Sequence, residues 1–174
     1  FSMGEGSRNA VIVTSAVPAE GKSTVCANLA VVIAQSSPKV LLIDADMRKP
    51  KQSGLFNLKG TGRGLSTLLQ GIDRFEDVVH RDVRPGLDVL PAGRAPRNPL
   101  ELLGSENMTA LLSRLRTEYS VVMIDTPPVN MVADALALSG EIAGAVFVVR
   151  YQNSTLKETN AALSAMNFVG MKTL

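Results

Sequence analysis

Between a β-branched run and an apolar helical stretch lies Ala16-Val17-Pro18-Ala19-Glu20-Gly21-Lys22-Ser23-Thr24, and this segment restricts the fold more than any other feature. It fits A/G-x-x-x-x-G-K-S/T, directly after a strand predicted over Ala10–Thr14 and directly before a helix predicted over Lys22–Gln35. Such a loop turns its backbone N–H groups inward onto a β-phosphate. Gly21 permits close approach, and the helix N-terminus adds the positive end of its dipole. The candidate nucleotide-binding residues are Ala19, Glu20, Gly21, Lys22, Ser23 and Thr24. Lys22 would reach the β- and γ-phosphates of a nucleotide and the Ser23 hydroxyl would ligate Mg2+. Ala16 stands in place of the first Gly, which the pattern permits.

The rest of the chain continues the alternation. Val40–Asp44, Leu87–Pro91, Val121–Asp125 and Ala145–Val149 read as strands. Helices are expected at Gly64–Gly71, at Asn98–Gly104 with Asn98 as cap and Pro99 first, at Ser105–Glu118, at Met131–Ser139 and at Thr155–Val169. Residues 45–64 are polar, basic and Gly-containing and read as loop, while Phe75–His80 suits either a helix end or an edge strand. Continuous apolar strands are buried on both faces, the mark of a parallel sheet, and strands alternating with helices imply βαβ units. The fold class is α/β, a P-loop NTPase with a central mostly parallel sheet flanked by helices, in a single domain over residues 1–174.

Composition narrows the function. Hydrophobic residues are 45% and charged residues 20%, which excludes a disordered or collagen-like chain. Aromatics are 4% with no Trp, so the core is aliphatic and base-stacking platforms for single-stranded nucleic acid are not expected. The net charge of +2 does not call for a nucleic-acid partner. Cys26 is the single cysteine, which rules out an internal disulfide or a Cys-based metal cluster and suits a reducing, cytoplasmic compartment. The longest apolar or Gly stretch, Ile142–Val149, falls far short of the roughly 20 residues that span a bilayer. No signal peptide opens the chain, and its ends at Phe1 and Leu174 read as trimmed.

Two further motifs end strands. In Leu41-Leu42-Ile43-Asp44-Ala45-Asp46-Met47-Arg48 two carboxylates sit two apart, pointing the same way if the extended geometry persists. Beside a phosphate loop such a pair suits magnesium handling and proton acceptance; alone it reads as a strand-end Asp capping a turn and a solvated neighbour. Val121-Val122-Met123-Ile124-Asp125-Thr126-Pro127-Pro128 has the form of a Walker B strand, whose carboxylate holds the metal shell. The prolines fix the chain just past the strand end.

These motifs, in this order, resemble those of the bacterial tyrosine kinases, or BY-kinases, with Ile43–Arg48 as Walker A′ and Ile124–Pro128 as Walker B. Gly64-Leu65-Ser66, Leu87–Gly93, Asn98–Leu103 and Val148–Arg150 are similar to further family segments, so the resemblance spans about residues 10–169. It implies ATP- and Mg2+-dependent autophosphorylation on tyrosine, regulating bacterial capsular or extracellular polysaccharide biosynthesis and export. Lys22, Asp44 and Asp46 would be catalytic, with Asp44 as base or metal-assisting carboxylate. Ser23, Asp44 and Asp125 would attend the metal. The implied location is the inner face of the cell membrane, with a membrane-embedded activator, or polysaccharide co-polymerase, as partner.

The chain departs from the family at its ends. The tyrosine cluster that serves as acceptor is missing, and Tyr119 and Tyr151, beside strands, read as structural. The N-terminal Glu-x-x-Arg-x-x-Arg helix is missing too, so this chain is expected to be monomeric or weakly associated although the family forms rings. A competing reading is a non-kinase P-loop ATPase switch of the partition or septum-positioning type. Those carry a signature Lys five residues before the loop Lys, where this chain has Val17. His80 reads as a surface or turn residue and Cys26 as core filler. The run Arg48-Lys49-Pro50-Lys51 suits a solvated loop or, so close to Asp46, a contact with phosphate or a partner.

Overall fold

In the computed structural model, residues 9–60 and 62–174 are described. Six strands form one sheet in the order β3-β4-β2-β5-β1-β6. They are β1 (Ala10–Ser15), β2 (Val40–Asp44), β3 (His80–Arg84), β4 (Leu87–Leu90), β5 (Val121–Asp125) and β6 (Gly144–Val148). All neighbours pair in parallel except β3 and β4, which are antiparallel. Every residue of β1 and β2 is buried, as continuous apolar runs require of central strands.

Side chains alternate across the sheet and divide the core in two. Ile12, Leu41, Ile43, Val122 and Ile124 face one side, where α6 (Glu106–Glu118) lays down Met108, Leu111, Leu112 and Leu115. Val11, Val13, Val40, Leu42 and Met123 face the other, where α1 (Lys22–Ser36) packs through Cys26, Ala27 and Ala30. Small residues on α1 let it lie close to the sheet. Cys26 is wholly buried there, as core filler should be, and burial drives its thiol pKa well up. The remaining helices are α2 (Gln52–Leu55), α3 (Leu65–Leu69), α4 (Phe75–Val78), α5 (Pro99–Leu103) and α7 (Leu156–Phe168).

Two expectations need correction and one pair of alternatives is resolved. Residues 45–64 are not all loop, because α2 forms one short turn there. Phe75–His80 holds both alternatives in succession: α4 ends at Val78 and the edge strand β3 starts at His80. The helix expected over Met131–Ser139 is instead a series of turns followed by a 3-10 helix, Leu136–Glu141. Its buried residue is Leu138, and an α-helical stripe is not needed to seat one side chain.

The two tyrosines differ. Tyr119 is 3% exposed, with its hydroxyl accepting from Arg81 at 2.5 Å and donating to Asp88 at 2.7 Å, so it is structural as read. Tyr151 is 87% exposed on the turn after β6, and no packing holds it. Burial pushes the Asp88 carboxyl up, but the Asp82 N–H, Arg81 and the Tyr119 hydroxyl outweigh it and hold the group below its usual range. A carboxyl depressed in the folded state stabilises above its unfolded pKa, and that contribution is lost as pH falls through the folded value. Tyr119→Phe is therefore expected to lower unfolding free energy by about 1–2 kcal/mol at neutral pH. The difference should shrink below about pH 4, which urea denaturation at several pH values would measure.

Candidate functional site

The strand order creates the site. β5 lies between β1 and β2, with Asp44 level with Asp125 and Val13 level with Asp125. The loop after β1 and the carboxylates ending β2 and β5 thus meet at the carboxyl edge of the sheet, where ligands of open α/β sheets bind. Hydrogen bonds lock the strand ends together. The Thr126 N–H and hydroxyl both donate to the Val13 carbonyl, the Thr14 hydroxyl donates to the Pro127 carbonyl, and the Val129 N–H donates to the Ser15 carbonyl.

The phosphate loop curls through two left-handed residues, Ala19 (φ 66°) and Gly21 (φ 87°). Glycine adopts such a conformation without the cost that Ala19 bears, and a Cβ at Gly21 would meet nothing within 4 Å, so the conformation rather than crowding favours Gly there. Glu20, expected at the nucleotide, has its carboxylate folded back into the loop. It accepts from the N–H groups of Ala16 (3.0 Å) and Val17 (3.2 Å). It also accepts from the Ser154 hydroxyl (2.7 Å) and the Arg150 N–H (3.4 Å). Its side chain shapes the loop, leaving its backbone to face a phosphate.

Lys22 is 9% exposed and reaches across to two carboxylates, Asp46 at 3.0 Å and Asp125 at 3.5 Å. Burial disfavours its charge, but Asp125 and Asp46 outweigh burial and raise its pKa, so it stays protonated. Asp46 lines the open cleft with Lys22, Ser23 and Thr24; Asp44 lies beneath it, wholly buried. Asp44 accepts backbone N–H bonds from Asp46 at one oxygen and from Lys51 and Gln52 at the other. Burial, then the Asp125 charge, push its pKa up to about 7 against those N–H groups. The candidate catalytic residues therefore come together, with the cleft-facing carboxylate being Asp46.

Asp125 is also wholly buried and its pKa is raised, by burial first, against Lys22 and the Gln52 amide. Its Oδ2 accepts from Gln52, while Oδ1 has no hydrogen-bond donor and faces the Lys22 charge. An orphaned carboxylate oxygen near the Ser23 hydroxyl fits a hard divalent cation. Among the described residues no cluster of three His, Cys, Asp or Glu could hold a metal alone, so such an ion would need nucleotide oxygens as well.

Sequence reasoning missed two residues. Gln52 is wholly buried and its amide donates both to the Ser23 carbonyl (3.0 Å) and to Asp125 (2.8 Å), joining α1 to β5. Asp134 is wholly buried and takes Arg48 in a two-pronged pair at 3.1 and 3.2 Å, tying the Walker A′ turn to the segment after Walker B. Neither sits in a recognisable pattern, so no local signal could have found them. Lys49 and Lys51 stay exposed at the cleft rim. His80 is half-buried on the edge strand.

Comparison with known proteins identifies the lineage. A family model described as an AAA domain matches residues 17–159. The tyrosine-protein kinase YwqD of Bacillus subtilis is 41% identical over 95% of this chain, which covers 70% of YwqD. EpsB of Ralstonia solanacearum is 43% identical over 95% of the chain, but this chain spans only 22% of its length. The solved kinase domain of the Escherichia coli tyrosine kinase ETK superposes with a TM-score of 0.92 at 36% identity, covering 98% of this chain and 67% of that one. The septum site-determining protein MinD of Pyrococcus horikoshii has the same fold, with a TM-score of 0.78 at 23% identity. The chain thus has the P-loop NTPase fold and belongs to the AAA-domain family, in the branch formed by the bacterial tyrosine-protein kinases.

Proposed function

We propose that this domain transfers the γ-phosphoryl group of ATP to a tyrosine hydroxyl. The observation that carries the reading is the placement of Asp46 in the cleft, 3.0 Å from the phosphate-loop Lys22 and directly above buried Asp44. The tyrosine oxygen attacks the γ-phosphorus, the bond to the β,γ-bridging oxygen breaks, and ADP leaves with that electron pair. A phenol has a pKa near 10, so attack at neutral pH benefits from a carboxylate that takes its proton. Asp46, which lines the cleft, would take that proton, and Asp44 accepts the backbone N–H bonds that hold the turn carrying it. Lys22 follows the β- and γ-phosphates, and the loop N–H groups orient them. A Mg2+ ion, held by Ser23 and Asp125, would neutralise charge on the transferring phosphoryl group.

The wider role we infer is regulation of capsular or extracellular polysaccharide production at the inner face of the membrane. A membrane-embedded partner would contribute a cytoplasmic segment for full activity. No helix among the described residues is long and apolar enough to cross a membrane, which suits attachment through such a partner or through other parts of a longer protein. Incubation with γ-labelled ATP and a tyrosine peptide tests the chemistry. Label on the peptide is the expected result. Label released only as inorganic phosphate would favour the ATPase-switch reading, whose fold this chain shares with MinD.

A further inference from the structure

The cleft does not end at the phosphates. The cleft lined by Lys22 and Asp46, about 360 Å³ in volume, is lined also by the apolar side chains of Leu55, Pro128, Met131 and Val132. Met131 is 61% and Leu55 44% exposed, although both are apolar. Such a lining does nothing for a triphosphate. It suits a planar apolar ring with one polar end, since a thioether makes favourable contacts with aromatic faces and a tyrosine ring needs its hydroxyl left toward polar groups.

The rim carries charge of one sign. Arg48 is already engaged by Asp134, but Lys49 and Lys51 form no ion pair among the described residues. Their backbones are fixed, because the Lys49 N–H donates to Asp46 and the Lys51 N–H donates to Asp44. Two exposed lysines on a turn held by backbone hydrogen bonds therefore line the same cleft as these apolar side chains.

We propose that the apolar part of this cleft is the acceptor subsite, seating a tyrosine ring against Met131 and Leu55 and selecting acidic residues beside that tyrosine through Lys49 and Lys51. The assignment rests on the kinase reading and adds the substrate's chemistry to it. Acidic flanking residues alone would be repelled by Asp46 and by incoming phosphates. The two lysines reverse the sign of the field at the entrance, which is how a charged rim chooses among partners that share one apolar anchor.

Binding can be read without catalysis. Fluorescence anisotropy would follow labelled peptides with Phe in place of Tyr, flanked either by Glu or by Ala, with a non-hydrolysable ATP analogue and Mg2+ present. The Glu-flanked peptide is expected to bind about 3–10-fold more tightly, the scale of a pair of exposed ion pairs. Lys49→Ala combined with Lys51→Ala should erase that preference while keeping both backbone N–H bonds. Met131→Ala should weaken both peptides alike. Equal affinity of the unaltered chain for both peptides would overturn the proposal. So would Met131→Ala or the lysine pair weakening the ATP analogue instead of the peptides, which would give the lining to the nucleotide. Selective peptide binding without any label transfer would leave the subsite standing and sink the kinase reading; transfer without selective binding would do the reverse.

Discussion

Lys22→Met is expected to abolish ATP turnover and to destabilise the free domain as well. Loss of turnover follows from losing the one ammonium group set among the phosphate-loop N–H donors, and phosphate release would measure it. Loss of stability follows from what the ammonium does without nucleotide. It lies 3.0 Å from Asp46 and 3.5 Å from wholly buried Asp125, so its removal leaves buried carboxylates facing one another. Breaking a buried ion pair on one side costs about 3–5 kcal/mol. The pH dependence has a definite sign. With Lys22 gone, burial raises the Asp125 pKa further above its unfolded value, and a raised carboxyl stabilises below the unfolded pKa and loses that contribution as pH rises through the folded one. The variant should therefore be closer to wild type at pH 5 than at pH 8. Thermal melts without divalent cations would show this, and a variant equally stable at both would sink the argument.

Asp46→Asn is the second large effect. Phosphotransfer is expected to fall by about 10²–10⁴-fold, the usual worth of a positioned base, while nucleotide affinity changes little. Asp44→Asn should look different. Its carboxylate accepts three backbone N–H bonds, and an amide must turn its own NH2 toward one of those donors. The turn bearing Asp46, Lys51 and Gln52 then loosens, so nucleotide affinity and transfer fall together. A second signature follows from the Asp44 pKa of about 7. Ionising a buried carboxyl with a raised pKa destabilises the free domain between about pH 4 and 7, and Asp44→Asn should flatten that decline. Near-normal transfer by Asp46→Asn would overturn the base assignment.

Much of this was legible in the residues because parallel strands announce themselves. β1, β2 and β5 are apolar runs closed by a loop or an Asp, and each motif falls at a strand end where the fold places ligands. β3 was ambiguous for the opposite reason. His80–Arg84 is a charged, half-exposed edge strand joined to β4 with a shifted register, so it carries neither an apolar run nor clean alternation. A four-residue helix such as α2 is too short to show a period. Gln52 and Asp134 were invisible because their partners lie 73 and 86 residues away, and only the strand order brings them together. Tyr151 was misread because a position beside a strand does not decide which way the next turn faces.

The Glu20 carboxylate gives the nucleotide loop a mechanical tether. Two of its donors belong to the loop itself and two to the turn of residues 150–154 after edge strand β6. Pulling that turn away would strip two donors from a carboxylate only 4% exposed, at about 1–3 kcal/mol for each bond left unmade. The loop would have to move with the turn or reopen to water. A load applied at the rim of the sheet is thus transmitted to the place where phosphates are gripped, through the Glu20 carboxylate and through Arg150 and Asn153, whose side chains donate to the Ala19 and Pro18 carbonyls.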